Sequence, residues 1–439
     1  MKVMKFGGTS VGTPQRMQDV SQLITKSGEP TFVVLSAMSG TTNSLIEVCD
    51  YLYKKNSDGA NEVINTLEKK YMKHVDELYS TDEMKETTRK FFADEFRYLR
   101  SFTKDIFTSF EERIIVAQGE VISTNMVVNY LKEIGVKALL IDALDFMRTD
   151  KNAEPDAPYI KEHLSEIMAA NKGYQIYMTQ GFICRNAYGE VDNLQRGGSD
   201  YTASLIGAAL MADEIIIWTD IDGMHNNDPR IVDKTDAVHQ LHFEEAAELA
   251  YFGAKILHPT CVQPAKFAGI PVRIKNTMDP EADGTVINNT LKRCSIKAVA
   301  AKDNIMAIKI KSSRMLLATG FLRKVFEIFE NYNTPIDMVT TSEVGISVSI
   351  DKSTHLEQIV DELKKYGTVT VDKDMCIICV VGDLEWNNVG FETLATDAMR
   401  DIPVRMISYG GSNYNISFLI KEEDKKRALQ NLSAELFNK

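Results

Sequence analysis

The chain has 439 residues with 44% hydrophobic and 26% charged residues, an ordinary globular composition, and at about 100–200 residues per domain it predicts two to four domains. Its formal net charge of −12 argues against a nucleic-acid partner. No apolar run approaches the ~18–20 residues that span a bilayer, and no signal-peptide core follows Met1-Lys2-Val3-Met4-Lys5, so a cytoplasmic protein is expected.

Val3-Met4-Lys5-Phe6 reads as a short strand, Gly7-Gly8-Thr9-Ser10 as a turn, and Thr13-Pro14 as the start of a helix with Met17, Val20 and Ile24 on one face. A threonine N-cap followed by proline is a strong start signal. Strand, glycine pair, hydroxyls and helix make a phosphate cradle that matches neither the P-loop nor the dinucleotide fingerprint. Lys5 falls at the carboxyl end of its strand, where open α/β sheets bind ligands. The competing reading is an edge-strand lysine beside a plain turn.

Residues 31–35 form a second strand, which ends in a loop rich in hydroxyls and glycine, and a helix begins near Asn43. Residues 54–112 read as a charged helical excursion without chemistry, with Tyr71, Val75, Leu78, Phe91, Phe96 and Leu99 spaced for packing. Glu120 follows, just ahead of a helix over residues 121–134. It either serves a site or complements the helix dipole. Residues 137–141, 175–178 and 214–218 are further β-prone runs, and their alternation with helices predicts a parallel sheet covered on both faces.

Asn193-Leu194-Gln195-Arg196-Gly197-Gly198-Ser199-Asp200 then leads into a helix of small residues. Glycine permits φ > 0 and close backbone approach, and a helix start offers N–H groups to an anion. The arginine fork suits a carboxylate or phosphate. An anion-handling turn explains Arg196 and Asp200, which a plain capped turn does not. Thr219-Asp220-Ile221-Asp222 and Asp228-Pro229-Arg230 lack EF-hand spacing. His239-Gln240-Leu241-His242 reads as a solvated helix entrance, and Phe252-Gly253-Ala254-Lys255 sets a lysine beside a glycine. Of six cysteines only Cys376 and Cys379 are suggestively spaced, inside an apolar run that reads as a buried strand. One such pair alone is poor zinc evidence.

Beyond Asn276 the chain repeats. Gly320-Phe321 recurs as Gly390-Phe391, an offset of 70 (390 − 320), and Ile346-Ser347-Val348-Ser349-Ile350 recurs as Ile416-Ser417-Phe418-Leu419-Ile420 at the same offset. Each copy reads βαββαβ, except that the second reaches Lys439 without a final strand, which residues 296–301 are expected to supply.

Lys5-Phe6-Gly7-Gly8-Thr9-Ser10, Gln195-Arg196-Gly197-Gly198-Ser199-Asp200, Trp218-Thr219-Asp220 with Asp228-Pro229-Arg230, and Phe252-Gly253-Ala254-Lys255 resemble the aspartate kinase family in order and spacing. The resemblance implies an α/β fold: an αβα sandwich on a mainly parallel sheet, of the amino-acid kinase (carbamate-kinase-like) type, over residues 1–294. Two ferredoxin-like βαββαβ ACT domains are implied over 295–375 and 376–439. The implied reaction moves the γ-phosphoryl of ATP, with Mg²⁺, to the β-carboxylate of L-aspartate. The product is 4-phospho-L-aspartate, at the first step of lysine, threonine and methionine synthesis. A carboxylate is ionised at neutral pH and needs no general base, which fits the lack of any nucleophile–histidine constellation. What the reaction needs is relief of anion repulsion and in-line alignment.

By the same resemblance Lys5, Asp200 and Lys255 are catalytic, and Thr42, Glu120, Phe182, Arg196, Ser199 and Asp200 bind aspartate. Arg196 would clamp a carboxylate and Glu120 would meet the ammonium. Lys5, Gly7, Gly8, Gly197, Gly198, Thr219, Asp220, His225, Arg230 and Lys255 would hold the nucleotide, His225 standing where the family usually has tyrosine. No protein metal ligand is assigned. Met315, Gly320, Phe321, Leu322, Asp337, Thr341, Ser342 and Glu343 resemble the effector pocket of lysine-inhibited members. L-lysine is therefore the expected effector, threonine as a co-effector staying open. ACT modules imply a homodimer or a dimer of dimers, and no later dinucleotide fingerprint suggests a fused homoserine dehydrogenase. Two other readings are a kinase of glutamate or N-acetylglutamate and a non-catalytic amino-acid sensor. The tandem repeat weighs against the first, and the presence of Lys5, Arg196, Asp200 and Lys255 against the second.

Overall fold

The computed structural model describes residues 1–104, 106–194, 197–253, 257–293, 295–315 and 319–437. It divides into two compact units, Met1–Met224 with Leu257–Asn289, and His225–Ile256 with Thr290–Lys439. In chain order the elements begin β1 (Lys2–Phe6), α1 (Pro14–Thr25), β2 (Thr31–Leu35), α2 (Thr41–Tyr53), α3 (Ser57–Leu78), α4 (Asp82–Ser101) and α5 (Ser109–Glu133). There follow β3 (Ala138–Leu140), α6 (Ala157–Ala170), β4 (Ile176–Gln180), β5 (Ile183–Arg185), β6 (Val191–Asn193), α7 (Gly198–Leu210) and β7 (Glu214–Thr219). Next come β8 (Gln240–His242), α8 (Phe243–Phe252), α9 (Gln263–Ala268), β9 (Val272–Asn276) and β10 (Thr285–Asn288). The remainder is β11 (Ile296–Lys311), α10 (Phe321–Asn331), β12 (Ile336–Ser342), β13 (Gly345–Asp351), α11 (Leu356–Leu363), β14 (Thr368–Gly382), α12 (Phe391–Ala398), β15 (Met406–Tyr409), β16 (Asn415–Lys421) and α13 (Lys425–Leu436). No helix among the described residues is long and apolar enough to cross a membrane.

In the first unit the strands run β3-β4-β2-β1-β7-β9-β10. Every pairing is parallel up to β9, and β10 closes antiparallel. β2 is buried at all five positions, the continuous apolar run of a strand covered on both faces. β1 lies between β2 and β7, so Lys5 is not on an edge strand. Thr13 caps α1 by accepting from the Arg16 N–H at 3.3 Å.

α5 departs from the expectation. Residues 114–120 do not precede a helix; they are its middle, because a capping box of Thr108 and Glu111 starts the helix at Ser109. Ile115, Val116, Ala117, Ile122, Met126, Val127 and Val128 bury its several faces, which hides the 3.6-residue period that would have revealed it. Glu120 is thus no first-turn acid, and the dipole reading fails.

In the second unit β12-β13-β11-β14-β16-β15 form one antiparallel sheet. β11 runs through both repeats: its second half pairs with β13, while residues 296–302 pair with 377–382 of β14. β14 does the converse, ending the first repeat and pairing with β16 in the second. Each long strand changes repeat at a left-handed residue, Asn304 (φ 61°) and Asp374 (φ 56°), types that tolerate that conformation. Gly320 (φ 79°) and Gly390 (φ 98°) sit at the N-caps of α10 and α12. Cys376 and Cys379 are buried thiols within β14, and His242 caps α8 in a capping box with Glu245.

Candidate active site

A cavity of about 260 Å³ opens at the carboxyl ends of β1 and β2, lined by Lys5, Ser36, Thr42, Glu120, Phe182, Gly197, Gly198, Ser199 and Asp200. Lys5 Nζ lies 2.7 Å from Asp200 Oδ1, both side chains only 12% exposed. The first turn of α7 thus holds the lysine at the strand end, and a buried charge of each sign is compensated.

Glu120 is 5% exposed. Its Oε1 accepts from the Ala37 N–H at 3.1 Å, while Oε2 is buried without a hydrogen-bond partner. Burial pushes the carboxyl up to about 7, against the pull of the Ala37 amide, its own backbone N–H and the Lys5 charge. A second tie fastens the same loop to α5, since Ser123 Oγ donates to the Ser36 carbonyl at 2.8 Å. Gly119 permits this approach: a Cβ there would lie 2.7 Å from the Ala37 Cβ.

Phe182 has φ 69° inside a tight turn closed by the Ile183 N–H on the Gly181 carbonyl (2.7 Å), a strained conformation that needs outside support. Its N–H donates to Thr202 Oγ1 (3.0 Å) and its carbonyl accepts from the Leu194 N–H (2.7 Å). The α7 entrance interlocks with it. A Cβ on Gly198 would lie 2.4 Å from the Phe182 ring, and one on Gly181 would lie 2.4 Å from Ser199 Oγ. Gly197, at φ 73°, has the Cys261 sulfur 2.4 Å from where a Cβ would go. A second cavity of about 490 Å³ shares Phe182, Gly197 and Gly198 with the first and carries an Arg113–Asp192 ion pair at 3.4 Å.

Of the glycine amides expected to serve phosphate, that of Gly7 is already spent on the Trp218 carbonyl (3.2 Å). What Gly7 offers is close backbone approach beside Lys5, whose Nζ lies 3.6 Å from the position of a Cβ there. Thr219 ends β7 and Asp220 follows it, the threonine hydroxyl donating to Asp220 Oδ1 at 3.2 Å. His225 and Arg230 lie in the second unit. There His225 Nδ1 is 2.8 Å from Thr235 Oγ1, and the Arg230 guanidinium makes two hydrogen bonds to Asp228, at 2.9 and 2.7 Å. Arg196 and Lys255 fall outside the described residues.

The structure thus brings Lys5, Thr42, Glu120, Phe182, Gly197, Gly198, Ser199 and Asp200 around one cavity. Ser36 joins them unforeseen; its place at the end of a strand in a hydroxyl-rich loop was the available signal. Cys261, under Gly197, had none.

In the second unit the Asp337 side chain is 2% exposed and lies 2.8 Å from Lys302 Nζ. Its Oδ1 also accepts from the Tyr251 hydroxyl, while Oδ2 is buried without a hydrogen-bond partner. Phe321 is buried at the start of α10 and Leu322 is 38% exposed. Met315 ends a short 3₁₀ turn, and Thr341, Ser342 and Glu343 are exposed where β12 turns into β13.

A family model described as the amino acid kinase family matches residues 1–276, and one for an ACT domain matches residues 378–436. Fold and family models therefore define a member of the amino acid kinase family that carries an ACT domain. Aspartokinase 1, chloroplastic, of Arabidopsis thaliana is 35% identical over 99% of this chain and 80% of its own. Lysine-sensitive aspartokinase 3 of Escherichia coli is 31% identical over 99% of each. The crystal structure of E. coli aspartokinase III in complex with aspartate and ADP covers 100% of both chains at 30% identity and a TM-score of 0.84. The chain belongs to the aspartokinase family.

Proposed function

We propose that the enzyme transfers the γ-phosphoryl of ATP to the β-carboxylate of L-aspartate, and that the 260 Å³ cavity is the aspartate site. The observation that carries this reading is the unpartnered Glu120 oxygen in the cavity that Lys5 and Asp200 also line. A buried acceptor without a donor suits an ammonium, and a lysine beside it suits the anion at the other end of the same small molecule. Glu120 takes the α-ammonium, Thr42 and Ser199 the remaining polar edges, and Arg196 a carboxylate. Phe182 forms the apolar wall. Its strained backbone, fixed by Thr202, keeps that wall from receding when a longer acid enters.

Lys5 is the charge that meets the transferring phosphoryl, and Asp200 holds it in place. Gly197 and Gly198 let the nucleotide approach the start of α7, where unpaired amides and the helix dipole favour anions. Thr219, Asp220, His225, Arg230 and Lys255 complete the nucleotide site. Mg²⁺ would arrive on the nucleotide's phosphates, which with water supply most of its ligands in kinase sites. When bound it would neutralise charge between the β- and γ-phosphates. Residues 1–294 act as the kinase domain, with 295–375 and 376–439 as the ACT domains.

L-lysine is the proposed inhibitor, bound at Met315, Gly320, Phe321, Leu322, Asp337, Thr341, Ser342 and Glu343. The lysine-sensitive E. coli relative supports this, as does the chemistry of Asp337, which already accepts a lysine ammonium from its own chain. The protein works in the cytoplasm as a homodimer or dimer of dimers through its ACT sheets; light scattering from a monomer would remove that assembly. The deciding assay is ATP-dependent acyl-phosphate formation trapped by hydroxylamine, with L-aspartate, L-glutamate or N-acetylglutamate, each with and without L-lysine. Aspartate-selective turnover suppressed by lysine is expected, and no turnover with aspartate refutes the reading.

A further inference from the structure

The excursion of α3 and α4 makes a buried contact beside the site. Tyr71 on α3 is fully buried, packed on Phe92 (ring centroids 5.5 Å apart) and Phe96 (6.1 Å). Its hydroxyl lies 2.6 Å from Thr41 Oγ1, and Thr41 is also fully buried. Burial pushes the phenol pKa up, and the nearby Glu120 charge adds to the push, so the contact is a neutral pair of hydroxyls in a dry place.

Thr41 stands where two pieces of the cavity wall meet. It opens α2 behind Gly40, which takes φ 84°, and the next residue, Thr42, lines the cavity. Its methyl lies 3.5 Å from the Cβ position of Gly119, one residue before Glu120. Oxygen toward Tyr71 and methyl toward α5 are both held by one threonine rotamer; rotating χ1 by one staggered step would break both contacts.

We propose that Tyr71 is a positioning residue for the acceptor substrate: its hydroxyl locks Thr41, and so sets the start of α2, and Thr42, against Glu120. This rests on the cavity being the aspartate site. A buried hydroxyl that loses its partner seeks another acceptor, and Thr41 can find one only by turning its methyl off Gly119. The helical excursion, silent in the chemistry, is the brace for the amino-acid end of the site.

The test is a double-mutant cycle on the full-length enzyme, reading the aspartate KM, the ATP KM, kcat and the thermal midpoint. Tyr71→Phe and Thr41→Val each leave one hydroxyl unpaired. Each is expected to raise the aspartate KM about tenfold, the modest end of what a misplaced positioning group costs, with kcat and the ATP KM within about twofold. The double variant removes both hydroxyls and is expected to return the aspartate KM to within about threefold of wild type, because no unpaired group remains. Single variants that melt earlier but keep the wild-type aspartate KM overturn the proposal, as does a double variant as impaired as the singles. T41V leaves the aromatic cluster untouched and decides the matter if Y71F does not fold. Wild-type enzyme inactive on aspartate would instead refute the functional reading, so the two failures are separable.

Discussion

Glu120→Gln should move stability and function in opposite directions. The wild-type carboxyl titrates near 7, well above the ordinary carboxylate range. A raised acid pKa means that folding favours the protonated form. The penalty is absent at pH 4 and grows as pH rises through the unfolded value. It is complete above about 7. From an ordinary 4.5 to about 7, at about 1.4 kcal/mol per tenfold step, the penalty is roughly 3 kcal/mol. Glutamine keeps an oxygen for the Ala37 amide and carries no charge, so E120Q should be more stable than wild type at pH 8, by up to that amount, and about equal at pH 4. Binding is the reverse. The substrate ammonium loses a charge-assisted bond of about 1.5–3 kcal/mol, which raises the aspartate KM by about 10- to 150-fold. Below pH 7 the wild-type KM should climb about tenfold per pH step as Glu120 protonates, a limb that E120Q lacks. Denaturant melts at both pH values and aspartate saturation curves from pH 5.5 to 8.5 read all of this. Equal destabilisation of E120Q at both pH values, or an unchanged KM, would refute the assignment of Glu120 as a strained ammonium receptor.

Three other outcomes follow from the same geometry. Lys5→Met removes the charge held 2.7 Å from Asp200 and should lower kcat by about 10²–10³, the usual cost of a lost transition-state donor; a kcat within threefold at saturating substrates would remove Lys5 from the chemistry. Gly198→Ala would force a Cβ to 2.4 Å from the Phe182 ring. Phe182 is pinned, so overpacking should cost about 1–3 kcal/mol in denaturant melts and raise the aspartate KM. An unperturbed G198A would show that Phe182 can yield. Asp337→Asn should weaken L-lysine inhibition about tenfold, about 1.4 kcal/mol, with uninhibited kcat unchanged; inhibition curves that superimpose on wild type place the effector elsewhere.

What the sequence disclosed was local chemistry at element ends. The strand–glycine–hydroxyl–helix order around Lys5, and the glycines before Ser199 and Asp200, mark backbone that must approach a ligand, and such marks survive in one dimension. The repeat offset was equally legible, because two copies of one module carry the same left-handed glycine at the same helix start. What stayed hidden was α5. A helix buried on several faces shows no polar stripe, so its first half goes unread and Glu120 reads as a helix-start acid. Tyr71 was assigned to packing for the same reason: an aromatic at helical spacing looks alike whether or not its hydroxyl has a partner 30 residues away. That Phe182 occupies a left-handed conformation could not be anticipated, since nothing in its residue type favours it.

β11 and β14 are each held in common by the two regulatory repeats, and this has a consequence for inheritance as well as for mechanics. A fragment cut at residue 376 would strip the second repeat of residues 296–302 and bare the flank of a strand whose residues from Met375 to Gly382 are all buried, an open edge of the kind that aggregates. Recombination between relatives therefore cannot exchange one repeat without rebuilding the other. The pair is transmitted, melted and pulled upon as a single woven piece.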